Sequence, residues 1–175
     1  AFPARPIRVV VPYAPGGATD IMARTVAQRL GEILGQTVII ENKPGANTAI
    51  GAEQVAKSPA DGYTLMFTND ATFVLNPALF TSLSYNMARD FVPVATVAYL
   101  NLSLTVSASL PVNTFAELVA WTKSKSGTIS YGSYGVGSQA HLMGEMYKKL
   151  SGADIVHVPY KGSAPALADV IGGQV

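Results

Sequence analysis

Three times along this chain a short apolar run gives way to a loop of small residues and then to the start of a helical pattern. The loops are Gly16-Gly17-Ala18-Thr19, Gly135-Val136-Gly137-Ser138 and Tyr160-Lys161-Gly162-Ser163. Strand, loop and helix repeated in this way imply a parallel sheet covered on both faces. Such loops lie at the carboxyl ends of the strands, where open α/β sheets bind ligands. The first N–H groups of a helix have no internal partner, and the helix dipole is positive there. Glycines let an anion come close to those groups. Three loops of this kind suit a ligand with more than one carboxylate. Taken singly, each is an ordinary turn, with Thr19 and Ser138 as ordinary N-caps.

The pattern extends over most of the chain. Ile7–Val11 reads as a buried strand. From Thr19 a helix is predicted, with Met22, Val26, Leu30 and Ile33 on one face and Gly35 as its stop. A second strand spans Val38–Ile40, followed by a loop over 42–47 and a short helix through Ala56. A third strand spans Tyr63–Phe67. Asn76-Pro77 opens an irregular stretch to Ser84. Val92–Tyr99 and Leu102–Val106 read as two strands near a domain crossover, giving units 1–101 and 102–175. Thr114 is the N-cap of a helix to Lys123, with Phe115, Leu118, Val119 and Trp121 available for burial. A strand at Ile129–Tyr131 and a helix over Ser138–Leu150 follow, the latter with Leu142, Met146 and Leu150 on one face. A strand at Ile155–Val158 leads to a last helix beginning near Ala164. The closing Gly172-Gly173-Gln174-Val175 would lead into a further strand, so the second unit reads as interrupted.

Composition excludes several classes of function. Net charge is +1 and the twelve Lys and Arg form no run, which argues against nucleic acid. No apolar stretch approaches the length of a membrane span, so no direct membrane insertion is expected. There is no cysteine, hence no disulfide and no thiolate chemistry. The start, Ala1-Phe2-Pro3, suits a mature end left by a signal peptidase as well as a cloning boundary. Gly132-Ser133-Tyr134-Gly135 is not a nucleophile elbow, and neither a dinucleotide fingerprint nor a P-loop occurs. His157 falls within a strand and reads as structural. His141 sits one turn into a helix beside the glycine loop, within reach of a carboxylate, although a helix-face role is the plainer reading. No acid–base pair emerges, so neither an enzyme nor a cofactor is expected.

Six separated segments together resemble one known family. They are Pro6–Pro12, Pro15–Asp20, Glu41–Ala46, Asp61–Leu65, Asp90–Val94 and His157–Ala166, in order across the chain. They look like the Bug (TctC-like) receptors of tripartite tricarboxylate transporters. The resemblance implies a periplasmic-binding-protein fold of type II, an α/β architecture of two lobes with parallel-rich sheets. It implies a monomeric periplasmic receptor that holds a di- or tricarboxylate, an acidic amino acid or an aromatic carboxylate in the cleft between its lobes. That receptor delivers its ligand to the membrane permease subunits; a ligand-sensing module feeding a signalling partner is the alternative. Carried over by position, Gly16, Gly17, Ala18, Thr19 and Asp20 form one wall, with Asn47 and Asn69 close by. Gly135, Ser138, Gln139, Tyr160, Lys161 and Gly162 line the other. The family chain runs on past Gly-Gly-Gln-Val, which implies that the second lobe and the return to the first are truncated here.

Overall fold

A computed structural model describes residues 2–175 and divides into two compact units, Ala1–Val94 and Ala95–Val175. In the first, three parallel strands form a sheet in the order β2-β1-β3: β1 (Ile7–Val11), β2 (Val38–Asn42) and β3 (Thr64–Met66). Val9 lies opposite Ile40 on one side and Leu65 on the other. The central position of β1, flanked on both edges, explains its composition, apolar at every position except the exposed Arg8. Ile7, Val9, Val10 and Val11 are all buried, each contributing about 1.5–3 kcal/mol.

Helix α1 (Ala18–Leu34) ends at Gly35 in the left-handed conformation, as its sequence predicts. Its buried positions correct two expectations. The N-cap is Gly17 rather than Thr19, because the Gly17 carbonyl already accepts the first helical bond from Ile21 at 3.0 Å. The buried face holds Ala23 and Ala27, while Met22, Val26 and Leu30 are half-buried and Ile33 is exposed. Small residues bring the helix axis close to the sheet, and the larger apolar side chains flank that contact. Helix α2 (Ala49–Ala56) follows β2 and packs Gly51 onto Pro12, where a Cβ would come within 2.8 Å of the proline Cβ. After β3 the chain makes a single π-helical turn (Ala71–Leu75), then the short helices α3 (Asn76–Leu79) and α4 (Met87–Asp90).

The segments 92–99 and 102–106 are not strands. They pair with no strand among the described residues, and Val92, Val94, Tyr99 and Leu104 are largely exposed. A β-branched run records a preference for extended backbone. A ladder also requires a neighbour, which composition does not supply.

The second unit has a parallel pair, β4 (Ile129–Ser133) and β5 (Ile155–Pro159), with Tyr131 opposite His157. Helix α5 (Phe115–Ser124) starts with a capping box between Thr114 and Glu117. Of its predicted core residues only Leu118 is buried, and Phe115 is exposed. Helices α6 (Gln139–Ser151) and α7 (Ser163–Ile171) cover opposite faces of the pair. On one face the Tyr131 ring fills the space over Gly144 of α6; on the other, Gly132 faces Tyr160 and Ala166 of α7. This contact also corrects the predicted face of α6: Met146 and Leu150 are exposed, and the sheet is met by the side carrying His141, Gly144 and Glu145.

Candidate loop walls at the strand carboxyl ends

In each unit the strands are parallel, so the loops that follow them gather at one edge of the sheet. In the first unit these are the loops after β1 (residues 12–17), β2 (43–48) and β3 (67–70). The strand order reverses between β1 and β3, and the Tyr13 hydroxyl bridges that point by donating to Asn69 Oδ1 at 2.5 Å. Asn69 Oδ1 also accepts from the Ala71 N–H, which places this predicted site residue in the frame of the π turn.

Asp20 is 2 % exposed. Its carboxylate accepts from the Gly16 N–H at 2.9 Å, from Asn42 Nδ2 at 2.8 Å and from Arg24 Nε at 2.9 Å. Burial pushes the Asp20 carboxyl upward. The hydrogen bonds from Arg24, Gly16 and Asn42, with the charge of Arg24, outweigh it and hold the carboxyl below the usual carboxylate range. Asn42 also donates to the Tyr13 carbonyl at 3.0 Å. Asp20 therefore locks the loop from within. The N–H groups of Gly17, Ala18 and Thr19 precede the first helical bond and carry the positive end of α1.

The loop after β2 contains three successive left-handed residues, Ala46 (φ 45°), Asn47 (φ 44°) and Thr48 (φ 76°). Such conformations persist only where the surroundings over-determine them, and they concentrate at functional sites. Here a buried polar cluster does so. Asn76 is fully buried; its Nδ2 donates to the Asn47 carbonyl at 2.6 Å, and its Oδ1 accepts from Asn47 Nδ2 at 2.7 Å. Thr48 Oγ1 accepts from Thr72 at 2.8 Å, and Tyr85 donates to the Thr72 carbonyl at 2.8 Å. Asn47 Oδ1 is buried without a hydrogen-bond partner among the described residues.

In the second unit the loops after β4 and β5 share one edge. Ser138, fully buried, caps α6 by accepting from the His141 N–H at 3.3 Å. The N–H groups of Gln139 and Ala140 precede the first helical bond, from Leu142 to Ser138. Gly135 is held by Ser133 Oγ, which accepts its N–H at 3.2 Å and lies 3.0 Å from its carbonyl. Tyr160 directs its hydroxyl to Asp169 at 2.6 Å; Lys161 is exposed, and Gly162 is the N-cap of α7. Sequence reasoning missed Asn42 and Arg24; it set Tyr13 in the first wall without its bond to Asn69. It also missed the part played by His141, whose Nδ1 accepts from the Gly137 N–H at 3.1 Å. The Ser138-x-x-His141 spacing was the available signal, being that of a capping box with histidine in place of Glu or Gln.

Comparison with known proteins agrees with this architecture. Residues 22–175 match the model of the tripartite tricarboxylate transporter family receptor. BugT of Bordetella pertussis is 41 % identical over 175 residues, covering 99 % of this chain and 54 % of BugT. Among solved structures, R. palustris Rpa4515 with adipate is 39 % identical with a TM-score of 0.95, over 100 % of this chain and 58 % of that one. MatC from Rhodopseudomonas palustris with bound malate is 32 % identical with a TM-score of 0.86, over 99 % and 59 %. The chain thus spans about half the length of the curated relatives it matches.

Proposed function

The chain belongs to the tripartite tricarboxylate transporter receptor family, and from that premise we propose that it is a receptor for a small dicarboxylate. In this reading it works in the periplasm and hands its ligand to the permease subunits of a tripartite tricarboxylate transporter. The observation that carries the reading is the wall at the start of α1. There three consecutive backbone N–H groups, those of Gly17, Ala18 and Thr19, are presented by a loop locked around buried Asp20. Such a wall takes a carboxylate through hydrogen bonds and the helix dipole, with little formal charge needed. Arg24 adds none, since its charge is committed to Asp20. Two relatives of known structure hold adipate and malate, both dicarboxylates. No helix among the described residues is long and apolar enough to cross a membrane.

In this reading Gly16 to Asp20, with Asn47 and Asn69, form the wall for one carboxylate. Gly135, Ser138, Gln139, Tyr160, Lys161 and Gly162 belong to the wall for the other. Isothermal titration against adipate, malate, citrate, glutamate and benzoate tests the proposal. Saturable heat from dicarboxylates, lost with their dimethyl esters, is the expected result. Silence across the whole panel would overturn it.

A further inference from the structure

The two loop walls share a device that their sequences conceal. In α1 the third helical residue, Asp20, reaches back to the N–H of Gly16, the residue before the N-cap. In α6 the third helical residue, His141, reaches back to the N–H of Gly137, again the residue before the N-cap. Each is a staple that fixes the loop at the helix start. The first is a carboxylate; the second is an imidazole and can be switched by one proton.

The state of the imidazole follows from its partners. Gly137 N–H donates, so His141 Nδ1 must be an unprotonated acceptor. Gly137 is buried, so its N–H depends on a partner within the protein. A proton on Nδ1 would set two N–H groups against each other and leave the amide unpaired. Behind His141 the His157 ring stacks at 4.0 Å between centroids, 20° from parallel. His157 Nε2 lies 2.7 Å from Ser133 Oγ. Ser133 Oγ thus joins three groups: the Gly135 N–H, from which it accepts, the Gly135 carbonyl and His157 Nε2. The second wall is therefore pinned twice, at Gly135 through Ser133 and His157 and at Gly137 through His141.

The charged and titratable groups facing the pair come from each element packed on it. Tyr131 of β4 stacks on His157 and donates to Glu145, which also holds Lys148, both on α6. Burial, then the neighbouring His141, lowers the affinity of His157 for a proton; Glu145 acts in the opposite sense and Lys148 reinforces the lowering. Asp169 of α7 lies with Tyr160, on the other face of the sheet.

We propose that His141 is a positioning residue for the Gly135–Ser138 wall, and that a proton placed on its Nδ1 releases this wall and with it the carboxylate the receptor holds. The part concerning ligand rests on the receptor reading above; the part concerning the loop does not. The test uses three proteins, wild type, His141→Asn and His141→Ala, between pH 8 and pH 5.5. Asparagine offers an acceptor near the place of Nδ1 that does not titrate. Amide exchange, read as protection factors, reports the Gly135–Gly137 loop, and titration calorimetry with adipate reports the ligand. In the wild type, protection of Gly137 and adipate affinity should each fall about tenfold on acidification, the scale of one lost hydrogen bond to a buried group. His141→Asn should keep both across the range, and His141→Ala should be low at both ends. Wild-type protection that is flat with pH would overturn the proposal, as would His141→Asn falling in parallel with the wild type. If a variant does not fold, NMR of the wild type decides: His141 titrating without a matching shift at the Gly137 amide refutes the staple. A wild type that binds no adipate at pH 8 would instead overturn the receptor reading, and the exchange data would still judge the staple.

Discussion

At the residue scale, Asp20 and Ala18 play opposite parts in the proposed anion wall. Asp20 is spent on structure, accepting from Gly16, Asn42 and Arg24; in the proposed reading the N–H groups of Gly17, Ala18 and Thr19 are left to the ligand. Asp20→Ala would remove the acceptor shared by the Gly16 N–H, Asn42 Nδ2 and Arg24 Nε. We expect a loss of about 2–3 kcal/mol in urea unfolding. Asp20→Asn should cost less and flatten the acid limb of the stability curve. The sign follows from the carboxyl's lowered position in the fold. Its contribution is complete above the unfolded value near 3.9 and vanishes as pH falls through the folded one. Ala18 offers the opposite experiment. It is the first helical residue, exposed, and preceded by Gly17 in an extended conformation (φ −79°, ψ 168°) that tolerates a following proline. Ala18→Pro should leave stability within about 0.5 kcal/mol. It should weaken dicarboxylate binding about tenfold or more in calorimetry, because one charge-assisted donor is gone.

At the scale of elements, two glycines set how closely helices approach the sheets, and only one of them borders a first-unit wall. A Cβ at Gly51 would meet Pro12 at 2.8 Å and the Lys43 carbonyl at 3.1 Å, neither of which can swing aside. A Cβ at Gly144 would fall 2.1 Å from the Tyr131 ring, which is held by His157 and Glu145. Both alanine variants should cost about 1–3 kcal/mol, measured by chemical denaturation. Gly51→Ala should also displace the loop after β1 and move its amide shifts, while Gly144→Ala leaves those unchanged. Elements whose apolar run matched a strand or ended in glycine were legible in the sequence: β1, β2, β5 and the stop of α1 at Gly35. Helix faces were less so. Periodicity finds the apolar stripe, yet α1 docks through Ala23 and Ala27 and α6 through Gly144, where closeness matters more than side-chain size. The loops of the site were legible as places. Their internal wiring, from Asn42 to Asp20 and from Tyr13 to Asn69, depends on pairings between distant residues that no local spacing reveals.

For the molecule as a whole, the two units respond to acid in different ranges. The first unit's paired carboxylates, Asp20 and Glu41, are held low by their hydrogen-bond partners despite burial. They contribute stability until the pH falls below the ordinary carboxylate range. In the second unit burial, then His141, lowers His157. Its contribution is complete above the unfolded value near 6.5 and is lost as pH falls through the lower folded one. Amide protection followed from pH 8 to pH 2 should therefore fade first in α6 and β5, and only below about pH 4 in β1 and α1. Simultaneous loss in both units would contradict this order.

The three left-handed residues at 46–48 reach further than their own loop. Together they make almost one turn of the mirror-image screw, so the chain reverses its handedness between β2 and α2. A reversal of this kind has no neighbouring register to slip into; shifting it by one residue would ask a different set of side chains to adopt the forbidden hand. The position of this loop is therefore discrete. Asn47 and Thr48 hold one fixed place in the first unit, and no graded shift of this loop is open to the chain.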